Sequence, residues 1–216
     1  HEHRDHIKGL ITLSKKHQLP VYITEATHKR AGIRLEKQLI HRFRADEPVS
    51  MGSLSISPFT KFHDAHDPHS FTVSSGQVTV GVFTDLGRTC KNLIRHFKKC
   101  HAAFLESNYD REMLMKGSYP PVLKKRISDG NGHLSNDEAL ELFLSHRPSF
   151  MSHLVLSHLS ENNNDPGIVD RLFKKHSGGI HITIASRYQS SEVLYITGRS
   201  EYKSKPGQVQ KQLSLF

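Results

Sequence analysis

The sequence predicts an α/β layered sandwich in which helices pack on a mixed sheet. Three observations carry this: strand-like and helix-like segments alternate irregularly, short strands joined by turns fill the middle of the chain, and 216 residues suffice for one sizeable core but not readily for two. Ile7, Leu10, Ile11 and Leu13 have the spacing of a helix running from Ile7 to His17 and ending near Pro20. Val21-Tyr22-Ile23 reads as a short buried strand, and Ala26 to Ile40 as a second helix with a basic face. From Val49 to Val82 the period shortens. Ser53-Leu54-Ser55-Ile56-Ser57-Pro58 alternates, Ser70 to Ser74 alternates less strictly, and Gln77 to Phe83 follows a Ser75-Gly76 turn.

Beyond that run, Cys90 to Cys100 is expected to be helical, Ala102 to Leu105 a strand, and Tyr109 to Gly117 a short helix. Asn136 to Leu144 reads as a helix capped by Ser135, with Glu138 placed for a capping box. Ser152 to Leu156 is expected as a strand, Pro166 to His176 as a helix and Ile180 to Ser186 as another strand. From Tyr202 the sequence turns polar and rich in turn formers, so a domain over 1–200 is expected to be followed by a flexible tail over 201–216.

The net charge of +9 and a pI near 9.6 favour a polyanionic partner, since each neutralised phosphate releases counterions. The basic residues are dispersed rather than massed beside an amphipathic end, and no apolar run approaches the roughly 20 residues that span a bilayer, so no membrane role is expected. Cys90 and Cys100 lack the spacing of a disulfide framework or a structural zinc site and suit a reducing, cytoplasmic setting.

Most of the 17 histidines carry no chemical signal, but three of them and an aspartate crowd into His1-Glu2-His3-Arg4-Asp5-His6, directly before a helix. His1 and His3 would project from one side of an extended segment, while Asp5 and His6 at the helix start point elsewhere, so the loop can serve two adjacent metal ions. Imidazole and carboxylate together suit zinc, manganese or iron. Asp85 closes an apolar strand, where a carboxylate is costly unless paired or metal-bound, and His158 likewise follows Leu154-Val155-Leu156. His133 lies in a glycine-containing loop before a helix start, suited to holding phosphate.

The opening hexapeptide matches the HxHxDH signature and resembles the metallo-β-lactamase superfamily in the form used by its phosphodiesterases. Phe62-His63-Asp64-Ala65, Thr84-Asp85-Leu86-Gly87, Glu106-Ser107-Asn108-Tyr109-Asp110, Gly132-His133-Leu134-Ser135-Asn136 and His158-Leu159-Ser160, in that order, resemble its YycJ-like or WalJ-like branch, to about Gly198.

The resemblance implies a four-layer αββα sandwich and a two-metal DNA exonuclease, cutting 5′ to 3′ in replication-linked repair. It further implies that His1, His3 and His63 bind one divalent ion, that Asp5, His6 and His158 bind the other, and that Asp85 bridges them. His63 is preferred over the nearby His66 because it precedes Asp-Ala as in the family. Asp5 would orient the attacking water, and His133 would act on the departing oxygen. Ser135 and Asn136, with Lys124, Lys125 and Arg126, are candidate substrate contacts. Glu106, Asn108 and Asp110 are open between orienting the ligands, touching substrate and forming a turn.

The alternatives are a ribonuclease or small-molecule phosphodiesterase of the same fold, a thiolester or lactam hydrolase, and a non-catalytic adaptor. Gln212-Leu213-Ser214-Leu215-Phe216 resembles the short motif by which bacterial polymerases and repair proteins dock on the sliding clamp, with Gln212, Leu213, Leu215 and Phe216 as anchors. Members of the fold normally open with several strands before the HxHxDH loop. The chain is therefore expected to lack much of one sheet, to expose a broad apolar face and to be poorly stable as it stands.

Overall fold

The computed structural model describes residues 1–198, so the tail and its clamp-like motif lie outside the described residues. The first helical stretch is divided into α1 (Arg4–Ile7) and α2 (Leu10–His17), with Gly9 in the N-cap position of the second. A glycine there weakens the helix that the apolar spacing alone would join. β1 (Val21–Tyr22) follows, then α3 (Glu25–Ala31), whose cap is the Thr24 hydroxyl accepting from Thr27 N. The helix expected to reach Ile40 stops at Gly32, which adopts a left-handed φ of 61°. A C-terminal glycine of this kind ends a helix, and the periodicity beyond it is overridden. Lys37–Leu39 form one 3-10 turn, and β2 (Ile40–His41) pairs in parallel with β1.

The remaining strands form one seven-stranded sheet in consecutive order: β3 (Val49–Met51), β4 (Leu54–Thr60), β5 (His69–Ser75), β6 (Val78–Phe83), β7 (Ala102–Glu106), β8 (His153–Ser157) and β9 (His181–Ile184). The first four are joined antiparallel, as the turn signals require, and β6 to β9 run parallel. Parallel neighbours need crossovers, and the helices supply them: α4 (Lys91–Phe97) links β6 to β7, α5 (Arg111–Lys116), α6 (Pro121–Ser128) and α7 (Asn136–His146) lie between β7 and β8, and α8 (Pro166–Lys174) links β8 to β9. The expected capping box of α7 is present, Ser135 and Glu138 each serving the other's backbone.

Alternate residues of the parallel strands sort onto two faces. Phe83, Leu105, Leu154, Leu156 and Ile182 turn to one side and pack with Leu93 and Phe97 of α4, Leu142 and Phe143 of α7, and Val169 and Phe173 of α8. The other face carries Val82 and Phe104 in register, and they remain 38% and 39% exposed. Leu54 and Met51 are also exposed on it. The described residues thus supply a helix layer and a large sheet with an open apolar face. Among them no helix is long and apolar enough to cross a membrane.

The parallel arrangement decides where chemistry can occur. The carboxyl ends of β6, β7 and β8 finish side by side, and Asp85, Glu106 and His158 sit at or just beyond those ends. Open α/β sheets take their ligands outside this edge.

Candidate metal centre

His3 is extended, with φ −61° and ψ 146°, and caps α1, so His1 and His3 precede the helix while Asp5 and His6 occupy its first turn. The loop after β4 brings in His63, whose Nδ1 donates to the Gly132 carbonyl at 2.8 Å and leaves Nε2 facing the opening loop. That Nε2 lies 3.2 Å from His3 Nδ1, and the His1 ring is 4.6 Å from His3 and 4.8 Å from His63, centroid to centroid. His1, His3 and His63 therefore form one group able to hold a metal ion, and Asp5, His6, Asp85 and His158 form another.

Asp85 stands between the two groups. Its Oδ1 lies 3.7 Å from His63 Nε2 and 3.5 Å from His158 Nε2, and its Oδ2 lies 3.2 Å from His6 Nε2. Burial disfavours its charged form, yet His6, His158 and Lys61 outweigh that cost and hold the carboxyl well below the usual range. Asp85 and His158 also have left-handed backbones, φ 53° and 58°. Asp tolerates this conformation better than His does, and strained backbone at two facing donors marks a site that the surrounding structure over-determines.

The donor set fits divalent metals. Among the described residues His1 Nε2 is buried without a hydrogen-bond partner, a state that costs about 1–3 kcal/mol unless something else satisfies it, and buried Asp85 Oδ2 has only the His6 ring within 3.5 Å. An imidazole–carboxylate cluster coordinating zinc, manganese or iron would satisfy both atoms.

Glu106 resolves the ambiguity left by the sequence. It is fully buried at the end of β7, and its Oε1 accepts from His133 Nδ1 at 2.8 Å and His158 Nδ1 at 2.7 Å. Oε2 accepts from Leu86 N at 2.6 Å and Leu134 N at 3.3 Å. Burial works against this carboxylate, but the hydrogen bonds from both histidines prevail and bring its pKa down to about 2. For His158 burial likewise opposes the charged ring, while Glu106, Asp85 and Asp5 overcome it and push the pKa up to about 9. One carboxylate thus fixes the tautomer and aim of two rings at once, the arrangement by which outer groups orient metal ligands. Asn108 adds to this by donating Nδ2 to the His158 carbonyl at 2.8 Å, whereas Asp110 caps α5 through Met113 N.

Two contributors gave no sequence signal or only a weak one. Lys61 is buried, donates from Nζ to the Thr84 carbonyl at 2.6 Å and lies 4.0 Å from Asp85 Oδ2; burial lowers its pKa against the pull of Asp85 and Glu106. Nothing in its local pattern distinguishes it from a surface lysine. Glu106 closes an apolar strand just as Asp85 does, and that shared feature could have identified it. His66 is exposed and outside both groups, its backbone N–H donating to Glu2.

His133 is brought against the cluster, its ring 5.2 Å from His63 and 5.3 Å from His158. The substrate expectations divide. Ser135 and Asn136 are buried, Ser135 as the α7 cap and Asn136 between Ser107 and Asn164. Lys124, Lys125 and Arg126 lie on α6, a helix not expected from the sequence. Arg126 bonds Asp64, which lies 3.5 Å from His63 Nε2, whereas Lys124 turns to the Met115 carbonyl. Lys125 is exposed.

A mixed sheet whose parallel carboxyl edge gathers clusters of His and Asp side chains able to hold divalent metal ions defines an α/β protein with a candidate metal centre. Residues 1–159 match the family described as "Beta-lactamase superfamily domain", and the chain belongs to that family. It is 33% identical over 169 residues to exodeoxyribonuclease YycJ of Bacillus anthracis, covering 76% of this chain and 63% of that protein. Exodeoxyribonuclease WalJ of Streptococcus pneumoniae is 29% identical over 170 residues, with the same 76% and 63% coverage. The chain thus spans less than two thirds of the length of these curated relatives. The crystal structure of the metallo-beta-lactamase fold protein YhfI from Bacillus subtilis is similar with a TM-score of 0.63 at 19% identity, covering 86% of this chain and 72% of that one. The metallo-β-lactamase fold expected from the sequence is therefore the fold observed.

Proposed function

We propose that this chain carries the catalytic centre of a two-metal phosphodiesterase that hydrolyses nucleic acid, acting on DNA as a 5′-to-3′ exonuclease in replication-linked repair. The observation that supports it most is Asp85, set between His63 of one group and His6 and His158 of the other. The likeness to two exodeoxyribonucleases supports DNA as the substrate.

In this reading His1, His3 and His63 would hold one divalent ion and Asp5, His6 and His158 the other, and Asp85 would serve both. Zinc, manganese and iron all suit these donors. When bound, the paired ions supply Lewis-acid stabilisation and lower the pKa of water. Asp5, at the exposed end of the group, accepts a hydrogen bond from the attacking water and orients it. His133, with Nδ1 fixed by Glu106, offers Nε2 to the departing oxygen as a proton or hydrogen-bond donor. Arg126 beside Asp64, with Lys124 and Lys125 on the same helix, attracts the phosphate backbone.

The sliding clamp as a partner, through Gln212, Leu213, Leu215 and Phe216, rests on the sequence of the tail alone. Deleting Leu215 and Phe216 is expected to weaken clamp binding and to spare cleavage of short oligonucleotides. A cytoplasmic location agrees with the free thiols of Cys90 and Cys100.

The test of the function is incubation of the metal-loaded chain with end-labelled single-stranded DNA, duplex DNA and RNA. Stepwise shortening of DNA from the 5′ end, abolished by a chelator and restored by added metal, is expected. Cleavage of RNA alone would sink the DNA reading.

A further inference from the structure

A cavity of about 580 Å³ opens beside His158, and its lining includes Leu159, Pro166, Ile184 and Ala185. Its volume is that of a small-molecule site, and apolar walls next to a charged centre suit a ligand with one flat apolar part and one anionic part. Tyr188 also lines it and is 78% exposed, with nothing among the described residues covering its ring.

The ring is not loose. Its hydroxyl donates to Glu161 Oε1 at 3.0 Å, and Glu161 Oε2 accepts from Arg187 Nη1 at 3.1 Å. Arg187 Nη2 in turn donates to the Leu159 carbonyl at 2.8 Å, in the residue that follows His158. The Glu161 charge is thereby balanced, so the cavity does not repel an anion from this side.

The two asparagines in the wall are already engaged. Asn164 Nδ2 donates to the Ser107 and Asn108 carbonyls, and Asn108 Nδ2 donates to the His158 carbonyl. A base entering here would meet a stacking surface and few free hydrogen-bonding groups, which is recognition without sequence preference.

We propose that this cavity receives the nucleobase of the nucleotide whose phosphate lies at the metal centre, with Tyr188 as the stacking residue. The proposal rests on the nuclease reading for its substrate class, and its test does not depend on cleavage. Binding of 2′-deoxyadenosine 5′-monophosphate and of its base-free counterpart, deoxyribose 5-phosphate, is measured by calorimetry on the zinc-loaded full chain. The nucleotide is expected to bind about ten-fold or more tightly than the base-free sugar phosphate. Tyr188→Ala removes that difference, whereas Tyr188→Phe, which keeps the ring and loses only the bond to Glu161, retains most of it. Equal affinity of the wild-type chain for both ligands, or an unchanged preference in Tyr188→Ala, overturns the proposal. A chain that cleaves DNA but shows no base preference refutes the pocket and not the nuclease. A chain that prefers the nucleotide but cleaves no nucleic acid refutes the nuclease and not the pocket.

Discussion

At the scale of single residues, Glu106 makes the sharpest demand. One oxygen holds the Nδ1 atoms of both His133 and His158, so Glu106→Gln turns an acceptor of two bonds into a weaker one and frees both rings to rotate. Loss of such an orienting group typically costs 10–100-fold in metal affinity or activity, and that fall is expected here by metal titration and by cleavage rate.

His96 makes a different prediction, far from the chemistry. It is stacked on Phe59 at 4.1 Å, and burial, aided by Arg95 and Lys99, lowers its pKa to about 4 from an ordinary 6.5. In the interval between those values the unfolded chain binds the proton and the folded chain does not. Stability is therefore complete above about pH 6.5 and declines as the pH falls toward 4. His96→Leu is expected to flatten this part of the acid limb in thermal melts at pH 4 to 7; an unaltered pH profile would contradict it.

At the scale of elements, the loop between α6 and α7 governs the site. A Cβ on Gly132 would lie 2.2 Å from the Arg126 carbonyl oxygen and 2.4 Å from that of Ile127, both backbone atoms that cannot turn aside. Because the Gly132 carbonyl aims His63 and the next residue is His133, Gly132→Ala is expected to lower both stability, by on the order of 1–3 kcal/mol, and metal occupancy. A denaturation curve and metal analysis on the same preparation check it.

The sequence made parts of this legible. HxHxDH packs four donors into six residues, and Asp85 and His158 were conspicuous as polar residues ending apolar strands. Glu106 carries the same mark but sits among other polar residues, and Lys61 carries none, because its role arises only when the residues after β4 come beside those that follow β6. At Gly32 the left-handed backbone outweighs the helical periodicity that continues toward Ile40. Helix α6 shows in the sequence chiefly as a basic triplet, although Pro121 at its first position is a helix-start signal.

At the scale of the whole molecule, one topological fact organises the rest: β6, β7 and β8 run parallel and in order, so the residues ending them meet. The same sheet leaves Val82 and Phe104 exposed on the face away from α4, α7 and α8. Phe104→Ser is expected to reduce binding of an apolar-surface dye and to leave metal content unchanged; unaltered dye binding would show that this face is covered.

Whether Asp85 joins a paired metal centre is decided by metal analysis with parallel DNA cleavage by the wild-type and Asp85→Ala chains. About two divalent ions per wild-type chain are expected, as a two-metal hydrolase requires, with loss of both bound metal and cleavage in the variant. An Asp85→Ala chain that keeps its ions and its full rate would contradict that joining role.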